Sequence, residues 1–576
     1  MNISTPSSQF VQTSTRPEMW PVAFGPLAGW LHQRAGMNAD TGVVLVSALG
    51  RDERCAFMPM RLLADRFAAA GFPTLRYDHL GEGDSLALPD PEDDALVHWL
   101  KGIDAAIALL REQTGVQRVV LAGVRMGASL ATLAASRADG LILMAPVLNG
   151  RSWVRRARFS SAAADQSKTA ADDSALDTDG LTLSRATAMS VATIDLLHQP
   201  VFDIPVFLAA QNKLVSNYGA GLAGQDVAFS QSDFPGFEAM FLDAHSNLPP
   251  NLVFQRASLW LQSQFGRLSS WTPRLLEPPK APVELHPPGA IERPVKFGDG
   301  LRGVLCEAET LVPDAPAILF FNTGGDPRCG VGGFATTVAR ELARRGVASL
   351  RFDFAGLGNS PMQGAEVRSH IFETSRDADL EAAVGLLTRY GHRRVVAVGV
   401  CAGAYHAFRL AMRDSRVVGL FAVSPVKLVW RPGDTLAFGR RTLTKSTNFY
   451  TQALIDPGAW KRVLARQVDV GVIVRSLLDR VQVRLLSVWS HLRGASPLRE
   501  MEAFSRRGGQ ACFLMGLKDA SVDELGIYFG ANAAKLQALA GASVHVFPDM
   551  DHGLTHAESR NIALAKFLDW MNLKTG

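Results

Sequence analysis

Short apolar runs of four to six residues alternate along the chain with longer stretches whose apolar positions recur at helical spacing. Residues 43–46, 119–124, 318–321 and 395–400 are such runs, bounded by glycine or polar clusters. The alternation predicts mostly parallel strands joined by crossover helices, an α/β fold class. The series also occurs twice. Residues 24–31 match 297–305, and each is followed by an apolar run and a loop holding Arg54-Cys55 or Arg328-Cys329. Helical stretches at 62–70 and 338–345 come next, then Leu75-Arg76-Tyr77-Asp78 and Leu350-Arg351-Phe352-Asp353. Each aspartate leads into a glycine turn, Gly81 to Ser85 or Gly356 to Ser360, and later into a strand that ends in G-x-x-x-G. Asp78 lies 47 residues before Arg125, and Asp353 lies 48 before Cys401. Shared order at shared spacing predicts a duplication.

Residues 1–270 and 295–576 are accordingly read as two α/β domains. Residues 271–294, with Pro273, Pro278, Pro279, Pro282, Pro287, Pro288 and Pro294 in or beside them, are read as a linker. Two insertions stand out. Residues 160–180 are rich in Ala, Ser and Asp with little periodicity, and are expected to be mobile. Residues 431–508 separate the sixth and seventh strand-like runs of the second half, where a cap is expected.

The chemistry concentrates in the second half. Gly399-Val400-Cys401-Ala402-Gly403 joins an apolar strand to a helix-compatible segment. Strand, G-x-nucleophile-x-G, helix is the context of a sharp turn that presents a nucleophile. Side chains two residues either side of the nucleophile would collide, so glycine is needed there. The helix N-terminus favours negative charge on sulfur. The Ala402 N–H is one expected oxyanion donor, and the loop Asn322-Thr323-Gly324-Gly325 supplies the second, through Thr323 or Gly324. Acid and base are expected downstream in that order. Asp519 follows the run 511–514, and His552 follows the run 544–547, so Cys401, Asp519 and His552 form the expected triad with Asp523 as reserve acid.

These motifs resemble the α/β-hydrolase superfamily, with cysteine in the serine position, over nearly all of the second half. Within it the G-x-C-x-G-A run and the turn from Asp353 to Ser360 are most similar to exosortase-system-associated and S33-type, serine-aminopeptidase-like hydrolases. The resemblance implies tandem α/β-hydrolase domains with a helical cap in the second. The first half has Arg125 at the nucleophile position, in Gly123-Val124-Arg125-Met126-Gly127, and a guanidinium cannot attack a carbonyl. It resembles a degenerate copy retained as scaffold. Pairing 206–208 with 512–514 sets Lys213 at the level of Asp519, and His245 matches His552 with nothing to activate. A sharper alternative makes Arg125 and Lys213 an anion site.

The same residues admit other readings. A cysteine at a strand end is often just a small buried hydrophobe. His406 reads as packing, and Cys329 as a small loop residue. His552 and His556 are four apart, a spacing that binds zinc on a helix, but no third ligand accompanies them, so no metal is expected. The Gly81-x-Gly83 and Gly356-x-Gly358 turns lack the third glycine of a dinucleotide fingerprint, and no cofactor motif is read.

Charge adds one feature. The chain has 59 Lys plus Arg and 55 Asp plus Glu, a net +4 that argues against nucleic-acid binding. Residues 431–508 carry 14 basic and six acidic residues, +8, so the remainder sums to −4. Arg462/Arg466 and Arg480/Arg484 are i,i+4 pairs among apolar positions at helical spacing, consistent with an amphipathic cap. Such a cap would attract an anionic group, such as coenzyme A, a carrier-protein phosphopantetheine or an acidic membrane surface. A thiolate transfers acyl groups well but attacks amides no better than serine, which ranks ester or thioester cleavage first. An acyltransferase using an alcohol acceptor is the alternative, and a non-catalytic binding or assembly protein the second. Five widely spaced cysteines, no CxxC and no visible signal peptide fit a cytoplasmic enzyme. The two halves are expected to form an intrachain pseudo-dimer.

Overall fold

The computed structural model describes residues 17–34, 40–164, 176–198, 203–223, 228–266, 278–362, 376–430 and 496–572. Most of the expected cap, residues 431–495 with Arg462 and Arg466, lies outside the described residues, as do 271–277 of the linker. The chain divides into two compact units. The first is Met1–Arg156, Ser184–Asp243 and Asn247–Val283; the second is Ala157–Leu183, Ala244–Ser246 and Glu284–Gly576.

Strands are numbered in chain order. The sheet of the first unit comprises β1 (Glu18–Phe24), β2 (Leu27–Gln33), β3 (Thr41–Val46), β4 (Thr74–Tyr77), β5 (Arg118–Val124), β6 (Gly140–Met144), β9 (Val206–Ala210) and β10 (Phe229–Asp233). In the second unit β7 (Leu176–Thr178) and β8 (Leu181–Leu183) form a hairpin. Its sheet comprises β11 (Ala290–Phe297), β12 (Leu301–Ala308), β13 (Ala317–Phe320), β14 (Ser349–Asp353), β15 (Val395–Val400), β16 (Val417–Val423), β17 (Gln510–Gly516) and β18 (Ala542–Phe547). The spatial orders are β1-β2-β4-β3-β5-β6-β9-β10 and β11-β12-β14-β13-β15-β16-β17-β18, the same permutation twice. In both, the second strand runs antiparallel to its two neighbours and every other pair is parallel. Two mostly parallel sheets flanked by helices are two α/β-hydrolase folds.

Sequence explains the layering. Central strands β3 and β15 are buried at every position, as apolar runs covered by helices on both faces must be. Alternate residues of β15 serve opposite cores: Val395 and Ala397 pack with Leu387, Phe408 and Phe513, whereas Val396 and Val398 pack with Val338, Phe421 and Phe567. Prolines sit where the ladder tolerates them, Pro21 in edge strand β1 and Pro294 in edge strand β11. The proline-rich stretch therefore passes into sheet at Ala290, before its last proline. Part of the stretch 160–180 is regular too: its end forms the β7–β8 hairpin, whose short length hid its alternation. Among the described residues, no helix is long and apolar enough to cross a membrane.

Candidate active site

Strand β15 ends at Val400, and the helix Ala402–Arg413 begins two residues later. Cys401 between them has φ 55° and ψ −114°, a conformation that side chains rarely adopt. The flanking glycines make that turn possible. A Cβ on Gly399 would stand 2.1 Å from the Gly403 backbone, and one on Gly403 would stand 2.9 Å from the Asn322 carbonyl oxygen. Ala402 opens the helix, so its N–H belongs to the first turn, which has no intrahelical acceptor.

The sequence-predicted acid and base meet at this turn. Asp519, after β17, is 3% exposed, and its Oδ2 lies 2.7 Å from His552 Nδ1. Its Oδ1 accepts the Ser521 N–H at 2.8 Å and the Ser521 hydroxyl. Burial alone would raise the Asp519 carboxyl, but His552 and the Ser521 donors outweigh it and hold its pKa below the ordinary carboxylate range. Cys401 lies close enough to His552 to act electrostatically on the imidazole. Burial opposes the imidazolium, yet the facing Cys401 and Asp519 overcome that penalty and hold its pKa well above that of an ordinary histidine. Asp523 lies on the helix Ser521–Phe529, and the carboxylate bonded to His552 is that of Asp519.

The loop carrying Thr323 and Gly324 is anchored by a network that motif spacing did not assign. Asp353 is fully buried at the end of β14. It accepts the Arg328 guanidinium at 2.8 Å, the Arg328 N–H at 2.8 Å, the Asn322 amide at 2.9 Å and the Asn359 N–H at 2.9 Å. Asn322 closes the loop on itself by donating to the Asp326 carbonyl and accepting the Phe354 N–H. The glycine turn that resembles a nucleotide fingerprint exists for this carboxylate. A Cβ on Gly358 would fall 2.3 Å from Asp353, and one on Gly83 would fall 2.3 Å from Asp78. The repeated Asp and Arg328 were visible as markers of duplication, but their shared function depends on a long-range pairing.

His556 does not face the triad. Its Nδ1 lies 3.6 Å from Asp177, which also accepts the Ala557 N–H that opens the helix Ala557–Asn572. Among the described residues no group of His, Cys, Asp or Glu could hold a metal ion. His406 is buried against Phe354, with ring centroids 4.7 Å apart, as packing predicts. Cys329 is half-buried, and its carbonyl accepts the Ala335 and Thr336 N–H groups at the start of the helix Phe334–Ala343.

In the first unit the same turn is preserved and otherwise committed. Arg125 has φ 56° and ψ −123°, and a Cβ on Gly123 would lie 2.4 Å from Gly127. Its guanidinium pairs with Asp52 at 3.1 Å, donates to the Ala145 carbonyl and stacks over Phe237. Helix Gly50–Ala69 begins directly after β3, where the second unit has the loop that carries Asn322 to Gly325, and Glu53 of that helix accepts the Ala48 N–H. Arg125 thus already pairs with a carboxylate of the chain itself, that of Asp52. Lys213 opens the helix Lys213–Ala223 and lines an open cleft of about 490 Å³ with Gln211, Asn212, Asp233 and Arg256, and Arg125 does not line it. Ala209 pairs with Met144 as Leu514 pairs with Val423, which sets Lys213 one residue ahead of the Asp519 level.

Comparison with known proteins agrees with this geometry. Residues 318–566 match the model of the alpha/beta hydrolase family, and residues 40–193 match that of the serine aminopeptidase, S33 family. Uncharacterized protein YcjY of Escherichia coli strain K12 is 31% identical over 97 residues, covering 16% of this chain and 31% of that protein. The match thus spans about a third of its length. Among solved structures, Est1E from Butyrivibrio proteoclasticus is 16% identical with a TM-score of 0.32, covering 43% of this chain and 99% of Est1E. A Pyrobaculum calidifontis esterase is 14% identical with a TM-score of 0.29, covering 43% and 85%. Both halves of the chain thus match α/β-hydrolase families, in keeping with two tandem domains of that fold.

Proposed function

We propose that the second unit cleaves ester or thioester bonds through Cys401, His552 and Asp519 by way of an acyl-enzyme. The observation that carries this reading is His552 bonded through Nδ1 to Asp519 at 2.7 Å, with Cys401 close enough to help raise the imidazole pKa. His552 takes the thiol proton as sulfur attacks the acyl carbon. The carbonyl π pair moves to oxygen, which rests on the Ala402 N–H and an N–H of the Thr323–Gly324 turn. The tetrahedral intermediate collapses, the leaving group departs with the proton from His552, and a thioester to Cys401 remains. Water, deprotonated by His552, then attacks that thioester, releasing the acid and restoring the thiol. The substrate is a small acyl ester or a thioester, including one carried on coenzyme A or a carrier protein. Transfer to an alcohol in place of water is the same second half-reaction with a different nucleophile. Few, widely spaced cysteines without a CxxC motif suit a reducing, cytoplasmic setting.

Incubation with a p-nitrophenyl ester series and a thiol-directed acyl probe tests the proposal. The expected result is turnover by the wild type, lost in Cys401→Ala, with an acyl mass on the peptide containing Cys401. Probe labelling that persists in Cys401→Ala, or a wild type that neither turns over nor labels, overturns it.

A further inference from the structure

His245 read from sequence as a relic of the degenerate half, yet the tripeptide Ala244–Ser246 belongs to the second unit. Its imidazole Nδ1 accepts the Gly325 N–H at 2.6 Å. The contact is close along the whole turn. A Cβ on Gly324 would lie 2.0 Å from His245 Cε1, and one on Gly325 would lie 2.2 Å from the Ala244 carbonyl oxygen. Both glycines are therefore required by the approach of this segment, and Gly324, at φ 62°, is also required by its own backbone. The turn is the one assigned above to the acyl oxygen. From its core side it is fixed through Asn322, which bonds Asp353. His245 holds its outer side.

We propose that His245 is a positioning residue for the oxyanion turn. By accepting the Gly325 N–H it withdraws that donor and fixes the Gly324–Gly325 peptide, which sets the orientation of the adjoining Thr323–Gly324 N–H that the acyl-transfer reading needs. The role rests on the acyl-transfer reading of Cys401.

The full-length chain is compared as wild type, His245→Ala, His245→Asn and His245→Gln. Asn places an acceptor oxygen where Nδ1 stands, whereas Gln moves it toward the Nε2 position. Hydrogen exchange of the peptide containing Gly324 and Gly325, read by mass spectrometry, needs no turnover. Faster exchange is expected in Ala and Gln, with near wild-type protection in Asn. The acylation rate with a p-nitrophenyl ester is expected to fall about tenfold in Ala and Gln, less than the loss of a direct oxyanion donor, with KM within about twofold. Iodoacetamide alkylation of Cys401 is expected to stay unchanged in all four proteins, because it needs the triad and not the oxyanion turn. Unchanged exchange in His245→Ala overturns the proposal, as does equal loss of acylation in Ala and Asn, or a parallel loss of alkylation. Failure of the catalytic reading would look different: the wild type itself would not be acylated at Cys401, while the exchange comparison would still decide whether His245 orders the turn.

Discussion

Arg125 and Cys401 share one backbone conformation, φ 56° and ψ −123° against φ 55° and ψ −114°. Duplication preserved the strained turn in both units while the side chain on it diverged. Strain of this kind costs of order 1–3 kcal/mol and persists only where the surroundings enforce it. In the second unit the turn presents sulfur to His552; in the first it presents a guanidinium to Asp52.

Restoring a thiol to the first unit is therefore expected to restore nothing. In Cys401→Ala/Arg125→Cys the new thiol would face Asp52, and Glu53 already holds the Ala48 N–H. Ester turnover of this double variant should match Cys401→Ala. Turnover above that level would show a second competent site.

Asp519→Asn should fold and fail. The carboxylate orients His552 and stabilises its charge, and the amide favours the wrong tautomer. A loss of about two to four orders of magnitude in kcat is expected, with little change in KM. Asp523→Asn should leave kcat within about twofold, because His552 is bonded to Asp519. Steady-state kinetics of the two variants separates the carboxylates.

The pH dependence follows from His552. An unperturbed imidazole titrates near about 6.5. Burial works against the charge here, but Cys401 and Asp519 prevail, so the imidazolium persists well above that value. Its contribution to stability is complete below about 6.5 and is lost as pH rises through the folded value. Urea melts across pH of about 5 to 10 should therefore show that loss in the wild type and not in His552→Ala. Coincident profiles would contradict the raised value.

Glu53 gives the first unit its own pH signature. Burial, reinforced by Asp78, pushes its carboxyl up to about 8. A carboxyl with a raised folded pKa binds a proton that the unfolded chain has released. Stability should then decline as pH climbs from about 4.5 toward about 8. Glu53→Gln should flatten that decline in urea melts at a series of pH values, and an unchanged slope would contradict it.

The turn glycines should be intolerant for a steric reason. Gly399→Ala places a methyl 2.1 Å from the Gly403 backbone, which has no flexible end to yield. A destabilisation of about 1–3 kcal/mol or more is expected, with loss of ester turnover. Gly526→Ala, on the helix Ser521–Phe529 where a Cβ meets nothing within 4 Å, is the control and should be neutral or mildly stabilising. Thermal melts check both.

Local and periodic features were legible in the sequence. Apolar runs announced the central strands because a parallel sheet covered on both faces needs apolar residues at every position, as in β3 and β15. The duplication was legible because matched spacing survives substitution. The glycines around Cys401 were legible because their constraint is steric and acts within five residues, and chain order pointed to Asp519 and His552. Only the tertiary structure decided the rest. Asp353 gathers Arg328 and Asn322 from one loop and Asn359 from another, Asp52 pairs with Arg125, Asp177 engages His556, and His245 lies on Gly324 and Gly325. Most of these contacts join residues tens to hundreds of positions apart, and their chemistry is ordinary in any one residue. A buried carboxylate or a donor N–H acquires its role only when folding brings its partner within hydrogen-bond distance.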